Sequence, residues 1–438
     1  FGKSPMRKIL LVSHNALSLH NNNGKTLTSI FEDWDAECIA QIYFNKEIPQ
    51  AVRFSRFFRV TDADVLKRLF SFGCVGGGRS VTPVRGDSGQ AQCSSVRESA
   101  LVRFIRRNEA GKLVLRDFLF GSGFWVSAEL KRWFKDFQAD SVFFVGGNSR
   151  FSFFVAEKLA AWNGAPLDIY ITDDYVLNAD PQGWLAKYLL RKLRAVYRDV
   201  FSRARHVFVI GEDMASAFSL EYERKFIPIM NSVTIPSDLS VGSAVSSSKG
   251  CIDFVYAGGL HLGREESLVK FGCLLQNAGR SLGVEVRLTV YSLQRPSDET
   301  ERRFLECGVV FGGALGQDAI AVRLANSDFV LHVESFEDRY RKLTKLSVST
   351  KIPEYLVSGA CLVAFGPSEL ASIRLVEKNS LGVTLSERDS VMEMQEKLIS
   401  VIESRIVRDN FARKGYEYAK RQFDSELVRQ KVKSLLNW

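Results

Sequence analysis

The sequence predicts an α/β protein of two doubly wound domains, each with a parallel sheet covered by helices. Three observations carry this. Short apolar runs alternate with stretches of helical period. The series stops at a polar, serine-rich stretch and then starts again. The chain has 438 residues, enough for two or three domains of about 150 residues each.

In chain order, Arg7 to Ser13 reads as a strand and Thr26 to Trp34 as the helix after it. Ser141 to Gly146 is another strand-like run, followed by helical Phe151 to Trp162. Asp168 to Thr172 and His206 to Ile210 are short apolar runs that end in polar turns. Trp184 to Arg205 carries Leu185, Leu189, Leu193, Val196 and Val200 at three- and four-residue steps, the helical period. Ser237 to Gly250 has the composition of a linker. The second series is Ile252 to Ala257, Val284 to Tyr291, Phe329 to Val333 and Cys361 to Phe365. Residues 74–100 hold few large apolar groups and read as a mobile loop. The expected division is therefore 1–235 and 236–420, with a closing segment 421–438.

Composition narrows the class further. With 46% hydrophobic and 25% charged residues, the chain is an ordinary globular mixture, which excludes whole-chain disorder or coiled coil. The longest apolar stretch, Ser141 to Trp162, is broken by Gly146-Gly147-Asn148 and Arg150, so no run of about 20 apolar residues is available to cross a membrane. Met6-Arg7-Lys8 followed by Ile9 to Val12 reads as a strand with no cleavage site, and the expected location is the cytoplasm. Seven cysteines, an odd number without CxxC spacing, are expected to be reduced. Five histidines without HxxxH pairing give no expectation of a metal site.

The net charge of +9 suits an anionic partner. Residues 101–116 carry five basic residues and one acid, Trp125 to Phe137 adds Lys131, Arg132 and Lys135, and Trp184 to Arg205 carries seven basic residues against Asp199. Two readings stand: solvated helix faces, or a surface for anionic lipid with Trp125, Trp133 and Trp184 as interfacial anchors. No nucleic-acid motif accompanies the charge, so nucleic acid is not an expected partner.

In open parallel sheets, ligands bind beyond the carboxyl ends of the strands. After the first strand come Ser13-His14-Asn15 and a polar loop leading to Gly24, at a helix start whose amides favour phosphate or carboxylate. After the strand ending at Ala257 come Gly258-Gly259-Leu260-His261-Leu262-Gly263-Arg264. There a glycine loop admits a diphosphate and Arg264 neutralises it, or the segment is an ordinary strand-to-helix turn. In residues 332–367 a strand and a charged loop lead to Ser349 to Leu356, which enters a helix, and Glu354 near its start is placed either to accept hydrogen bonds from sugar hydroxyls or to complement the helix dipole.

These residues resemble a glycosyltransferase of the GT-B architecture, two Rossmann-like domains facing a central cleft, and most of all the retaining family 4 enzymes of bacterial surface polysaccharide synthesis. Lys351 to Gly359 is similar to that family's Lys-x-x-Glu-Tyr-Leu-x-x-Gly segment, which implies that Glu354 meets the nucleotide ribose. Gly258 to Arg264 looks like the family's glycine-rich turn, with Arg264 where a diphosphate-binding lysine is usual. Ile229 to Val233 resembles the element at the domain junction, and Gly24 the phosphate-side glycine of the first domain. Thr172-Asp173-Asp174 follows the strand where acceptor-side polar residues lie, and the segment from Asn410 onward is similar to the helix that crosses back to the first domain.

The resemblance implies a UDP- or GDP-sugar bound by Gly24, Gly258, Gly259, Arg264, Lys345, Lys351 and Glu354, with no cofactor or metal. Arg264, Lys351, Asp173 and Asp174 are then the catalytic candidates, and the acceptor is a glycan or lipid-linked hydroxyl on the first domain. Two departures stand out. Leu346 occupies the position of the family's sugar-contacting glutamate, and Gly259 that of an arginine. Glu334, Glu337 and Asp338 are the carboxylates at hand to replace the first. The competing readings are a catalytically silent nucleotide-sugar-binding subunit, an epimerase, and a metal-dependent enzyme using Asp33-Trp34-Asp35 or Asp62-Ala63-Asp64, both in helical segments.

Overall fold

A computed structural model describes residues 7–18, 22–50, 53–83, 109–236 and 250–436. Most of the expected loop 74–100, the basic residues 101–108 and the linker 237–249 lie outside the described residues. Contacts divide the chain into two compact units, Phe1–Ile229 with Lys431–Trp438, and Met230–Gln430.

Unit 1 contains β1 (Ile9–Ser13), β2 (Ile39–Tyr43), β3 (Arg56–Arg59), β4 (Arg79–Val81), β5 (Ser141–Gly146), β6 (Leu167–Ile171), β7 (His206–Val209) and β8 (Ile227–Pro228). They form one sheet in the order β4-β3-β2-β1-β5-β6-β7-β8, with β4 antiparallel to β3 and the other pairs parallel. Unit 2 contains β9 (Cys251–Ala257), β10 (Glu285–Tyr291), β11 (Val309–Gly313), β12 (Phe329–Val333), β13 (Cys361–Phe365) and β14 (Gly382–Leu385). Its all-parallel order is β11-β10-β9-β12-β13-β14. The fold class read from the sequence is the one observed.

Burial on both faces explains why these strands are continuous apolar runs. Every residue of β1, β5, β12 and β13 is buried. In unit 2 the pleat sends alternate residues to two cores. Phe254, Leu331 and Val363 pack under helices Arg264–Leu282 and Val391–Glu403, through Leu268, Phe271, Leu275 and Leu398. Val255, Val330 and Leu362 pack against Ile352, Tyr355, Ile373 and Ala419 on the other face. In unit 1 the ring of Phe143 lies 5.1 Å from Phe31 and 5.8 Å from Phe208, joining strand to helix and strand to strand.

The sequence reading overlooked β2, β3, β4, β8, β11 and β14. In β2 the cause is Gln41, a polar residue inside an apolar run. It is fully buried, and its amide organises the loop after β1: Oε1 accepts from Leu17 N–H at 2.9 Å, and Nε2 donates to Ser13 Oγ at 2.8 Å and Asn15 O at 3.1 Å.

Two expectations need correction. Cys273 and Cys307 are joined as a disulfide, not reduced, because helix Arg264–Leu282 packs on helix Asp298–Glu306 and brings together thiols 34 residues apart. Trp125 is no interfacial anchor: it is 2% exposed and stacks on Trp162 at 6.0 Å, while Trp133 tilts onto Phe58 at 5.5 Å. Trp184, by contrast, is 80% exposed.

At the amino edge of the unit 1 sheet, the carboxylate of Asp168 on β6 is fully buried and ties three strands. It accepts from Ser141 Oγ at 3.0 Å, pairs with the Arg205 guanidinium through both oxygens, and lies 2.9 Å from His206 Nδ1. Removing one partner of such a pair leaves an uncompensated charge. Asp168→Ala is therefore expected to destabilise unit 1 by about 3–5 kcal/mol, read from the urea midpoint of its unfolding transition.

Candidate functional site

In each sheet the winding reverses beside the first strand, between β1 and β5 in unit 1 and between β9 and β12 in unit 2. Loops leaving the carboxyl ends on either side of such a point diverge, and the gap between them is where open α/β sheets bind ligands.

In unit 2 the loop Gly258–Gly263 leaves β9 and ends where helix Arg264–Leu282 begins. Leu262 and Gly263 are both left-handed, at φ +63° and +71°, a sharp turn that a leucine adopts only at a cost. A Cβ on Gly263 would sit 2.5 Å from Ser335 Oγ and 2.7 Å from the Tyr340 ring, so glycine is required there. The turn is held from three directions. Tyr256 Oη donates to Gly259 O at 2.7 Å, Gln294 Oε1 accepts from Leu260 N–H at 3.2 Å, and Tyr355 Oη bonds both the N–H and the C=O of Ala257, at 3.1 and 2.9 Å.

Arg264 is the first residue of that helix. Its guanidinium reaches the carboxylate of Glu334, just past β12 on the other side of the switch point, at 3.3 and 3.2 Å. Glu334 is 3% exposed, and His332 Nε2 lies 3.3 Å from its Oε1. Burial opposes the Glu334 charge, but Arg264, followed by His332, more than offsets it and holds the carboxyl below its ordinary range. Lys351 Nζ lies 3.4 Å from Glu354 Oε2 on the short helix Ile352–Leu356, whose next residue is the Tyr355 that grips Ala257. Lys345 Nζ lies 3.6 Å from Glu369, in the loop after β13, and Arg341 joins it at 2.6 Å.

Unit 1 differs at the same edge. Asp174, after β6, is buried, and its oxygens accept from the N–H groups of Val176, Leu177 and Asn178 and from Asn178 Nδ2, at 2.7 to 3.0 Å. Its carboxylate shapes a loop. Asp173 accepts from Thr172 Oγ1 and Tyr175 Oη, each at 3.2 Å. The helix after β5 starts against Asp117, which pairs with Arg150 at 3.2 Å and accepts from Phe151 N–H at 3.1 Å. Gly24 is buried where any Cβ would run into Ala16 O. His14 is exposed by surface area, while desolvation, then the Arg116 charge, pushes its pKa down to about 4.

Solved structures match this fold over nearly the whole chain. HepE of Anabaena, in complex with UDP and glucose, matches at TM-score 0.58 and 13% identity over 98% of this chain and 100% of its own. A UDP-forming α,α-trehalose-phosphate synthase from Burkholderia vietnamiensis matches at TM-score 0.62 and 12% identity, covering 98% and 100%. WaaG, a glycosyltransferase involved in lipopolysaccharide biosynthesis, matches at TM-score 0.56 and 12% identity, covering 98% and 99%. The chain has the GT-B fold. No family model and no curated protein matches the sequence.

Of the residues expected to form a GT-B donor site, Gly258, Gly259, Arg264, Lys345, Lys351 and Glu354 all lie in loops or helix starts along the carboxyl edge of the unit 2 sheet. Gly24, Asp173 and Asp174 belong to unit 1. Leu346 is buried, and Glu337 and Asp338 open helix Asp338–Thr344. Of the three replacement carboxylates, Glu334 stands at the switch point, paired with Arg264. The sequence reading missed His332, Gln294 and Glu369. Only His332 carried a signal, a polar residue inside a buried strand. Among the described residues no group of three or more His, Cys, Asp or Glu is arranged to hold a metal ion.

The lowered Glu334 pKa has a defined sign. Its contribution to stability is fully present above the unfolded carboxyl value of about 4.3 and is lost as pH falls through the folded value. The stability difference between wild type and Glu334→Gln is thus expected to be largest near neutrality and to shrink on acidification, as urea midpoints between about pH 3 and 7 would register.

Proposed function

We propose that this protein is a glycosyltransferase that transfers a sugar from a UDP- or GDP-sugar, bound at the carboxyl edge of unit 2, to a hydroxyl acceptor. The observation that supports this most is Arg264: a cation at a helix start, after a glycine turn, at the switch point of a parallel sheet. The UDP named with HepE and with the trehalose-phosphate synthase supports the same donor chemistry.

In the reaction the bond between the anomeric carbon and the diphosphate oxygen breaks, a bond to the acceptor oxygen forms, and the acceptor hydroxyl gives up its proton. Negative charge grows on the departing diphosphate. Arg264, Lys345, Lys351 and the amides near Gly259 are its proposed stabilisers, fixed in place and requiring no metal. Each of these cations is already held by a carboxylate, so little reorganisation accompanies the reaction. Glu354 accepts from the ribose hydroxyls. Retention of anomeric configuration follows from the resemblance to family 4. The alternative, a silent nucleotide-sugar-binding subunit, is favoured by one observation: buried Leu346 at the position of the family's glutamate. Turnover of a radiolabelled sugar nucleotide separates the two, and activity that survives EDTA supports the metal-free route.

Two substitutions test the assignments. Arg264→Ala is expected to lower kcat more than it raises the donor KM. Glu354→Gln is expected to weaken donor binding by about 1.5–3 kcal/mol. Unchanged donor binding in the second variant would reduce Glu354 to a complement of the helix dipole.

The proposed setting is the inner face of the cytoplasmic membrane, with a glycan or lipid-linked acceptor of cell-surface synthesis. No helix among the described residues is long and apolar enough to cross a membrane. What supports association is the exposed face of helix Trp184–Arg203, with Trp184, Lys187, Tyr188, Arg191 and Lys192. Flotation with anionic vesicles is expected at low salt, with release at high salt and reduced binding by Trp184→Ala. Protein that stays unbound under both conditions contradicts a membrane setting.

A further inference from the structure

Unit 1 has a cavity of about 490 Å³ at the opposite edge of its sheet from the carboxyl ends. It opens where β7 and β8 begin, between the end of helix Trp184–Arg203 and the end of helix Glu212–Tyr222. Its volume is that of a small-molecule site. Arg198, Arg205, His206, Arg224 and Lys225 line it, with one carboxylate residue, Glu223.

Not all of that charge is available. Arg205 and His206 are engaged by buried Asp168, and Arg198 pairs at the surface with Glu221 at 3.2 Å. Arg224 and Lys225 are different. The Arg224 guanidinium donates to Ala204 O at 3.3 Å and Arg205 O at 3.5 Å, neutral acceptors that fix its position without cancelling its charge. Burial alone lowers its pKa, with no carboxylate acting on it. Neither Arg224, Lys225 nor Glu223 forms an ion pair among the described residues. At the proposed donor site every cation has an acid within 4.0 Å. Here a fixed, half-buried guanidinium and an adjacent ammonium have none, which favours an anion from outside. The cavity also has an apolar side, where Tyr222 and Ile227 are half-buried and the Tyr222 ring meets Phe201 at 5.1 Å.

We propose that this cavity binds an organic phosphate ester, its phosphate on Arg224 and Lys225 and its organic part against Tyr222 and Ile227. The site does not rest on the transferase reading: its lining residues all belong to unit 1, whereas the proposed donor site belongs to unit 2. Phosphate on a soluble metabolite and phosphate on a lipid headgroup share this chemistry, so both sources are tested.

Isothermal titration of the full chain with glycerol 3-phosphate, inorganic phosphate and glycerol is the first arm. Glycerol 3-phosphate is expected to bind saturably, more tightly than inorganic phosphate, with no binding of glycerol. Lys225→Glu, an exposed change that spares the fold, is expected to weaken binding about tenfold or more, and Glu223→Gln to strengthen it. The second arm is sedimentation with vesicles containing phosphatidic acid. Binding that is lost in Lys225→Glu but kept in Trp184→Ala assigns the phosphate to lipid. UDP binding measured on the same samples is expected to be equal in wild type and Lys225→Glu. The proposal is overturned if neither soluble esters nor phosphatidate vesicles bind saturably, or if binding is the same in wild type and Lys225→Glu.

Discussion

Parallel strands are joined only by crossovers that pass over a face of the sheet, and those crossovers are right-handed. A sheet covered on both faces must therefore reverse its winding once, and the chemistry-bearing loops follow from where it does. Both sheets reverse beside their first strand: β1 lies between β2 and β5, and β9 between β10 and β12. In unit 2 this puts the Gly258–Arg264 turn and Glu334 on either side of the gap, near enough for Arg264 to bridge it at 3.2 Å. The pair is nearly buried, so neither charge tolerates loss of the other.

The two units use the same carboxyl edge differently. In unit 1 the polar groups are directed inward: Asp174 shapes its own loop, Asp117 caps a helix and Gln41 fixes the loop after β1. In unit 2 Arg264, Lys345 and Lys351 are each pinned by a carboxylate and remain partly accessible, with 15%, 37% and 38% of their side chains exposed. A dianionic diphosphate would share such cations rather than recruit free ones, the preorganised arrangement that makes electrostatic stabilisation effective.

The parallel runs β5, β12 and β13 were legible to the residue, because each is fully buried and its apolar run, interrupted in β12 by His332 alone, stands out between polar flanks. What escaped was short or broken: β2 with Gln41 inside it, β3 flanked by Arg56 and Arg59, and β11 ending in Gly312-Gly313. The glycine turn after β9 and the helix start that carries Glu354 were legible because each is local in sequence. The roles of Glu334 and Tyr355 were not, since each acts across the sheet, on Arg264 and on Ala257 respectively. Asp173-Asp174 shows a structural role that its spacing did not signal. A paired aspartate after a strand has the look of a reactive site, and here the second carboxylate is consumed by four hydrogen bonds of its own loop.

The central claim is that unit 2 holds a nucleotide diphosphate at its switch point. A crystal structure of the protein soaked with UDP tests it most directly. The account predicts diphosphate density at the Gly258–Arg264 turn within hydrogen-bonding distance of the Arg264 guanidinium, and ribose hydroxyls at the Glu354 carboxylate. Nucleotide density confined to unit 1, or bound on unit 2 away from Arg264, would contradict it.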